Sequence, residues 1–249
     1  MKAALMMATY NRLDLTKRML KSLFETTTIP FSLIIVDNGS EDGTVEFLKD
    51  YQWPCDAHLI FNEANKGIAV ARNQTLKKAD EIGTDWFCTI DNDVEMPKGW
   101  LKQCIDILKA NKSYGGIGVN MEPAPYPIVT RNGCTFQDKP QGNLGTACMV
   151  FPKAVHQMLG FFTTEYGLYG EEDADWGMRT RVCGFKLGYI QEMGNHFGDG
   201  EVDTGAYRDF KTESHRRNLA AFNRNCAAYH RRQKPLYIPY RDEVVKNER

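Results

Sequence analysis

Short apolar runs alternate with amphipathic stretches along residues 1–90 of the chain. Runs with the length and composition typical of buried strands lie at residues 3–8, 31–36, 57–61 and 86–90. Between them, helical spacing of apolar residues or a high content of helix formers predicts helices over residues 14–25, 44–51 and 68–82. This regular alternation predicts a parallel sheet with right-handed crossovers and helices on both faces.

The second half of the chain is less regular. Strands are predicted over residues 116–121, 145–151 and 186–190, and helices over residues 97–111, 153–159, 173–183 and 213–233. The segment 122–143 is rich in proline, glycine and polar residues and predicts a loose hairpin. The last helix is amphipathic, with a predicted apolar stripe of Leu219, Phe222, Cys226 and Tyr229.

Composition favours one large intracellular domain with an appendage. Apolar residues make up 42% of the 249 residues, the formal net charge is −1, and seven cysteines are scattered without a Cys-x-x-Cys pair. No apolar run approaches the ~18 residues of a transmembrane helix, and the apolar N-terminus is too short for a signal core. We therefore expect a cytoplasmic protein. Residues 208–234 hold eight Lys or Arg against two acids, which leaves open a peripheral membrane association or nucleic-acid binding.

Candidate chemistry begins where the strand at 86–90 ends, with Asp91, Asn92 and Asp93. The carboxyl edge of an open α/β sheet is where ligands bind. In an extended segment the carboxylates of Asp91 and Asp93 point the same way, and a divalent cation with phosphate oxygens as further ligands would relieve their repulsion. The alternative is a polar turn that caps the next helix.

Six further short segments accompany the Asp-x-Asp in a recognisable order. They are Thr9-Tyr10-Asn11-Arg12, the run from Val36 to Thr44, Asn65-Lys66-Gly67 with Ala71-Arg72-Asn73, Glu172-Asp173 with Asp175 and Arg179, His196, and Asn218 with Phe222. Over residues 1–200 the chain resembles the nucleotide-sugar glycosyltransferases of the GT-A fold, most closely the inverting family 2. The resemblance implies a Rossmann-like α/β fold with a mostly parallel sheet. On this basis residues 1–205 form one GT-A domain, in which 1–95 bind the nucleotide sugar and 96–205 the acceptor, and 206–249 form a basic helix and tail packed on it.

The resemblance assigns a donor site and a metal site. Asp93 would ligate the metal directly, with Asp91 and His196 as further ligands, and an imidazole ligand favours Mn²⁺ over Mg²⁺. Asp37 would accept from the ring N–H of a pyrimidine, which favours a UDP-sugar. The nucleotide-sugar site would comprise Thr9, Asn11, Arg12, Asp37, Asn38, Asn65, Gly67, Arg72, Asp91 and Asn92.

Three neighbouring acids, Glu171, Glu172 and Asp173, are candidates for the general base. We favour Asp173, with Glu172 as the alternate, because a carboxylate at the start of a helix is held ionised by the helix dipole. The alternative is that these acids only complement the dipole, and that Asp175 and Arg179 form a helix-surface ion pair. The acceptor side would contain Gly145, Thr146 and Trp176, although a helical Trp is more often core.

The implied activity is metal-assisted transfer of a sugar from a nucleoside diphosphate to a hydroxyl of a saccharide or glycolipid, with inversion. A nucleic-acid acceptor, such as a modified DNA base, is a second hypothesis for the same chemistry. A nucleotidyltransferase is disfavoured because the first loop lacks the Gly-rich, basic pattern that holds a triphosphate. A module that binds nucleotide sugars without catalysis is the third hypothesis, and the presence of Asp91, Asp93, Asp173 and His196 together argues against it.

Overall fold

The computed structural model describes residues 2–122, 126–145, 147–197 and 205–244, without the side chain of Tyr207. The first half alternates strand and helix as predicted. Its elements are β1 Ala3–Thr9, α1 Leu13–Thr26, β2 Ser32–Asp37, α2 Thr44–Asp50, β3 Asp56–Phe61, α3 Ile68–Glu81 and β4 Trp86–Ile90. Thr44 lies within the first turn of α2 and does not cap it, because the cap is Gly43 in the left-handed conformation.

The second half begins with a short strand that has a role in the site. Its elements are β5 Val94–Glu95, α4 Trp100–Ala110, β6 Tyr114–Asn120, β7 Ile128–Arg131, β8 Cys134–Lys139, β9 Cys148–Pro152, α5 Lys153–Leu159, α6 Glu172–Val182, β10 Lys186–Met193, β11 Asn195–His196 and α7 Gly205–His230. The predicted loose hairpin is an ordered β-hairpin, β7–β8, whose turn carries Asn132 and Gly133 at positive φ. Asn-Gly is the pair that such tight turns favour.

The described strands form a nine-stranded sheet in the order β3-β2-β1-β4-β9-β6-β10-β8-β7, and β11 pairs with β5 in a separate ladder. The part contributed by β1 to β4 is parallel, as predicted. From β9 onward the sheet is mixed, since β9 runs antiparallel to β4 and β6. Apolar clusters cover both faces, with Met19, Trp100 and Leu101 on one face and Leu76, Phe151 and Phe162 on the other. The α/β fold class is therefore confirmed.

A buried charge network joins α6 to α7. Asp175 accepts hydrogen bonds from Nε of Arg179 at 2.7 Å and from the hydroxyls of Tyr166 and Tyr229, each at 2.9 Å. Asp175 and Arg179 are both fully buried, so the helix-surface ion pair expected from the sequence is wrong. The guanidinium of Arg179 also donates to the carbonyl oxygen of Leu236, so the same network holds the segment that follows α7.

We expect Asp175→Asn to destabilise the protein by about 3 kcal/mol, because it leaves the buried charge of Arg179 without its counter-ion. The measurement is urea unfolding at neutral pH. Asp106→Asn is the matched control, since Asp106 forms an exposed ion pair with Lys102 and such pairs contribute ~0.5 kcal/mol or less. Equal effects of the two substitutions would contradict the structural importance of the network.

The predicted apolar stripe of α7 is only partly buried, and polar residues share the buried face. Tyr229 is buried and Phe222 and Cys226 are half-buried, as predicted, but Leu219 is 44% exposed, and the polar Ser214 and Asn218 are buried. The side-chain amide of Asn218 donates to the carbonyl oxygens of Tyr166 at 2.7 Å and Tyr169 at 2.9 Å. The helix packs against a loop whose backbone acceptors need donors, which explains the polar face. In the described part of the chain, no helix is both long and apolar enough to cross a membrane.

Candidate active site

A pocket of about 320 Å³ lies where β1 and β4 end, as predicted for the carboxyl edge of the sheet. Residues from widely separated parts of the described chain, from Ala8 on β1 to Lys211 on α7, line it. The lining residues that the sequence predicted are Thr9, Arg12, Asn38, Asn65, Arg72, Asp91, Asn92, Asp93, Gly145, Glu172, Asp173 and His196. The motifs are therefore brought together in space, although they are spread over most of the chain.

Asp91, Asp93 and His196 form a group that could hold a metal ion. One ligand atom from each lies within 4.8 Å of the others, and Nε2 of His196 is 3.3 Å from Oδ1 of Asp93. The ladder between β5 and β11 creates this arrangement, because it pairs His196 with Val94 and lets the Phe197 N–H donate to the carbonyl oxygen of Asp93 at 3.0 Å. Two carboxylates and one imidazole suit a divalent transition metal such as Mn²⁺.

Positive charges surround the buried Asp93. Burial alone would raise the pKa of Asp93, but the hydrogen bond and charge of His196, with the charges of Arg12 and Lys211, lower it. Arg12 forms an ion pair with Oδ2 of Asp93. Asp93 is thus held as a carboxylate, which is the form that ligates a metal.

Asn92 faces away from the metal group. Its amide donates to the hydroxyls of Thr9 at 2.9 Å and Thr16 at 3.0 Å, and these hydroxyls also hydrogen-bond each other. The buried triad of Asn92, Thr9 and Thr16 therefore fixes the loop between Asp91 and Asp93 against β1 and α1. This contact gives Thr9 and Asn92 a supporting role in addition to lining the pocket.

Arg72 connects the metal group to the start of α6. Its guanidinium donates to Oδ1 of Asp91 at 2.9 Å and forms an ion pair with Oε1 of Glu172. Arg72 itself is buried, and although burial opposes its charge, Asp91 and Glu172 raise its pKa. The side chain is therefore positioned by two carboxylates at the wall of the pocket.

Burial raises the pKa of Glu172 to about 7, in spite of the opposing charge of Arg72, and the neighbouring Asp173 adds to the rise. In the folded protein the carboxyl group of Glu172 therefore keeps its proton up to pH about 7. In the unfolded chain it loses this proton near pH 4.5, the ordinary pKa of glutamate. The unfolded state binds fewer protons in this window, so the free energy of unfolding must decrease as the pH rises through it.

Between pH 4.5 and 7 we expect the free energy of unfolding of the wild type to decrease by on the order of 3 kcal/mol because of Glu172, at ~1.4 kcal/mol per pKa unit. Glu172→Gln should remove this part of the pH dependence, because glutamine does not titrate but can still accept from Arg72. The measurement is the free energy of unfolding of the wild type and of Glu172→Gln, obtained from urea unfolding at several pH values. Parallel pH profiles would contradict the raised pKa.

Asp173 and Glu171 flank Glu172 at the start of α6. Asp173 is half-buried, lines the pocket, and accepts from the N–H of Ala174 at 2.6 Å through Oδ1. Glu171 has a left-handed backbone, with φ of 68°, and forms an ion pair with Nδ1 of His215 on α7 at 2.5 Å. Glu171 is not among the residues that line the pocket. Of the three acids, Asp173 and Glu172 therefore have access to a ligand there.

Asn38 organises the side of the pocket formed by β2 and the turn before α3. Its amide donates to Oδ1 of Asn65 at 2.8 Å, and its own Oδ1 accepts from the side chain of Asn62 and the backbone of Lys66. Asp37 is fully buried and accepts from the N–H groups of Gly39 and Ser40 through Oδ1. Among the described residues Oδ2 of Asp37 has no hydrogen-bond partner.

Four predicted residues do not line the pocket. Asn11 is exposed and caps the backbone of Glu41, and Asp37 lies beneath the surface. Gly67 begins α3 with φ of 88°, and a Cβ there would lie 2.9 Å from the Cα of Leu168, so its role is close packing. Trp176 is fully buried and packs on Phe151, with ring centroids 4.9 Å apart, so the predicted contact with an acceptor is replaced by a core contact. Thr146, also predicted on the acceptor side, lies outside the described residues.

Several lining residues were not predicted. Tyr10 lies inside a recognised motif, and Tyr169 and Gly170 precede the acidic segment, so their proximity to it was a usable signal. Phe210 and Lys211 come from the first turns of α7, which begins earlier than its amphipathic pattern indicates. No local feature of the sequence placed these two residues at the pocket.

The family model for glycosyl transferase family 2 matches residues 4–155. This match covers more than half of the chain, and the chain belongs to that family. It is 40% identical over 82 residues to the uncharacterised glycosyltransferase YfnE of Bacillus subtilis, covering 32% of this chain and 20% of YfnE. It is 24% identical over 213 residues to N-acetylglucosaminyl-diphospho-decaprenol L-rhamnosyltransferase of Mycobacterium tuberculosis, covering 70% of this chain and 68% of that protein.

Among solved structures, the mannosyltransferase PcManGT of Pyrobaculum calidifontis, in complex with GDP-Man and Mn²⁺, has a TM-score of 0.62 and 16% identity. The similarity covers 91% of this chain and 73% of PcManGT. It supports the GT-A fold assigned from the motifs.

Proposed function

We propose that the protein transfers a sugar from a nucleoside-diphosphate sugar to a hydroxyl of a saccharide or glycolipid acceptor, with inversion at the anomeric carbon. The observation that carries this proposal is the convergence of Asp91, Asp93, His196 and Asp173 on one pocket at the carboxyl edge of the sheet. A nucleic-acid acceptor has no such observation in its favour.

The nucleotide is proposed to bind over the ends of β1 and β2. Asp37 is proposed to accept from the ring N–H of uracil through Oδ2, which is why we favour a UDP-sugar; because Asp37 is fully buried and does not line the pocket, this contact requires the turn at Gly39 and Ser40 to move. Asn38 and Asn65 are already fixed by hydrogen bonds to each other, so this wall is preorganised. Arg72, held between Asp91 and Glu172, is placed to face the diphosphate.

Asp91, Asp93 and His196 are the residues proposed to hold the metal, with Mn²⁺ favoured. A bound divalent cation would neutralise the charge that develops on the leaving diphosphate. In the protein as described, Arg12 and His196 neutralise Asp93. A metal ion would bind the unprotonated imidazole of His196 and would compete with protons for it, so the affinity for the metal should weaken as the pH falls.

Asp173 is proposed as the general base that takes the proton of the acceptor hydroxyl. Glu172 is less suited, because its side chain is buried and its carboxyl group is engaged by Arg72. A single base and a direct displacement produce inversion at the reacting carbon. The anomeric configuration of the product, measured by proton NMR, tests this part of the proposal.

The donor site is tested by thermal melts with a panel of nucleoside diphosphates and nucleotide sugars, with and without Mn²⁺. A ligand at 100 times its dissociation constant should stabilise the fold by about 2.7 kcal/mol, a shift of ~5 °C or more. We expect this shift with uridine nucleotides and Mn²⁺, and not with Asp93→Ala. No shift with any donor would contradict the proposed transferase and favour a protein that keeps the fold without the activity.

A further inference from the structure

One wall of the pocket is aromatic and comes from outside the recognised motifs. Tyr169 lies on the loop before α6, and Phe210 lies on the first turns of α7. Their ring centroids are 6.3 Å apart and the planes are inclined by 54°, so the rings form an angled surface rather than a closed stack. Phe210 is 39% exposed although it lines a concave site. Exposed aromatic side chains in a pocket are typical of ligand contacts.

A positive charge accompanies these rings. Nζ of Lys211 lies 5.7 Å from the centroid of the Tyr169 ring, within the range of a cation–π contact. Lys211 also lines the pocket, together with both rings and Asp173. Its ammonium group therefore adds a positive charge beside the aromatic wall, where an anion would be stabilised.

The aromatic wall is held in place from behind. The side-chain amide of Asn218 donates to the carbonyl oxygens of Tyr166 and Tyr169, and His215 contacts Glu171, two residues after Tyr169. These contacts tie α7 to the loop at several points along its length. Preorganisation of this kind reduces the entropic cost of ligand binding.

We propose that Tyr169, Phe210 and Lys211 form the acceptor subsite, and that the acceptor is a saccharide with a phosphate group. The rings would pack against the apolar face of the sugar, and Lys211 would bind the phosphate. Asp173, the proposed base, lines the same pocket as these rings, so a sugar bound against them would present a hydroxyl to the catalytic group. This inference depends on the proposed function and replaces Trp176 as the aromatic contact.

The test uses the full chain loaded with Mn²⁺ and the nucleoside diphosphate found in the melts. Binding of hexose 1-phosphates and of the corresponding methyl hexosides is measured by calorimetry. We expect at least one hexose 1-phosphate to bind tenfold or more tightly than its methyl hexoside. Phe210→Ala should weaken the binding of both tenfold or more, and Lys211→Met should weaken only that of the phosphate. Leu219→Ala is the control, since Leu219 is exposed on the same helix but does not line the pocket.

The outcomes separate the two proposals. A normal nucleotide-induced melting shift in Phe210→Ala, with unchanged hexose binding, would overturn the acceptor subsite and leave the donor site intact. Failure of every hexose 1-phosphate to bind would also overturn it. If Lys211→Met weakens the nucleotide and not the hexose phosphate, Lys211 serves the donor diphosphate and its acceptor role is wrong. Absence of any nucleotide shift in the wild type would refute the proposed function itself.

Discussion

Asp93→Ala is expected to lower kcat/KM for sugar transfer by at least 1,000-fold, about 4 kcal/mol of transition-state stabilisation. Asp93 contributes to two parts of the site, because one carboxylate oxygen faces His196 and the other faces Arg12. The substitution removes one of the two carboxylates of the proposed metal group. The measurement is release of nucleoside diphosphate in the presence of acceptor, with Mn²⁺ varied up to saturation.

Two controls make this result interpretable. Asp93→Asn preserves the shape and can accept from Arg12, so it should keep the fold but lose most of the activity. Asp106→Ala removes an exposed carboxylate that does not line the pocket and should leave the activity unchanged. Activity of Asp93→Ala that persists in the presence of a chelator would show that the metal assignment is wrong.

Much of the fold is predictable from the sequence because it depends on local patterns. Strand β4 consists of apolar or β-branched residues and is fully buried, and β1 and β2 are buried along nearly their whole length, so their patterns are typical of central strands. The position of Asp91 and Asp93 follows directly, since they come immediately after β4. Residues that lie at the ends of neighbouring strands must meet at one edge of the sheet.

The remaining features depend on contacts between distant residues. His196 reaches Asp93 through a ladder of two-residue strands, which is too short to leave a periodic pattern. In the sequence, Asp175 and Arg179 look like an ordinary i, i+4 pair on a helix surface. In the structure the pair is buried, and Asp175 also accepts from the hydroxyls of Tyr166 and Tyr229, which come from other elements. The polar residues of α7 look solvent-exposed in the sequence, but Asn218 satisfies the carbonyl groups of a loop about fifty residues earlier, with separations of 52 and 49 residues.

The proposed choice of Asp173 over Glu172 as general base depends on the surroundings of the two acids. Both acids line the pocket, so position in the sequence does not distinguish them. Their surroundings do, because Glu172 is buried against Arg72 whereas Asp173 is half-buried. A general base must be ionised and must reach the proton it removes. These requirements favour Asp173, and Glu172 is better suited to positioning Arg72.

Asp173→Asn is therefore expected to lower kcat by ~100- to 10,000-fold, the usual contribution of general-base catalysis, while the nucleotide-induced melting shift stays within about 1 °C of that of the wild type. Asparagine has nearly the same shape and can still accept from the N–H of Ala174. The variant should thus fold, bind the donor and fail to transfer.

Glu172→Gln is the matched comparison, since it makes the same chemical change one residue away. We expect it to raise KM for the donor several-fold, because the position of Arg72 beside Asp91 depends on Glu172, and to lower kcat less than tenfold. The measurement is a full set of initial rates for both variants at pH 7.5. If Glu172→Gln loses kcat and Asp173→Asn retains it, Glu172 is the general base and Asp173 is not. An equal loss of kcat in both variants would indicate that the two carboxyl groups act as one coupled acid.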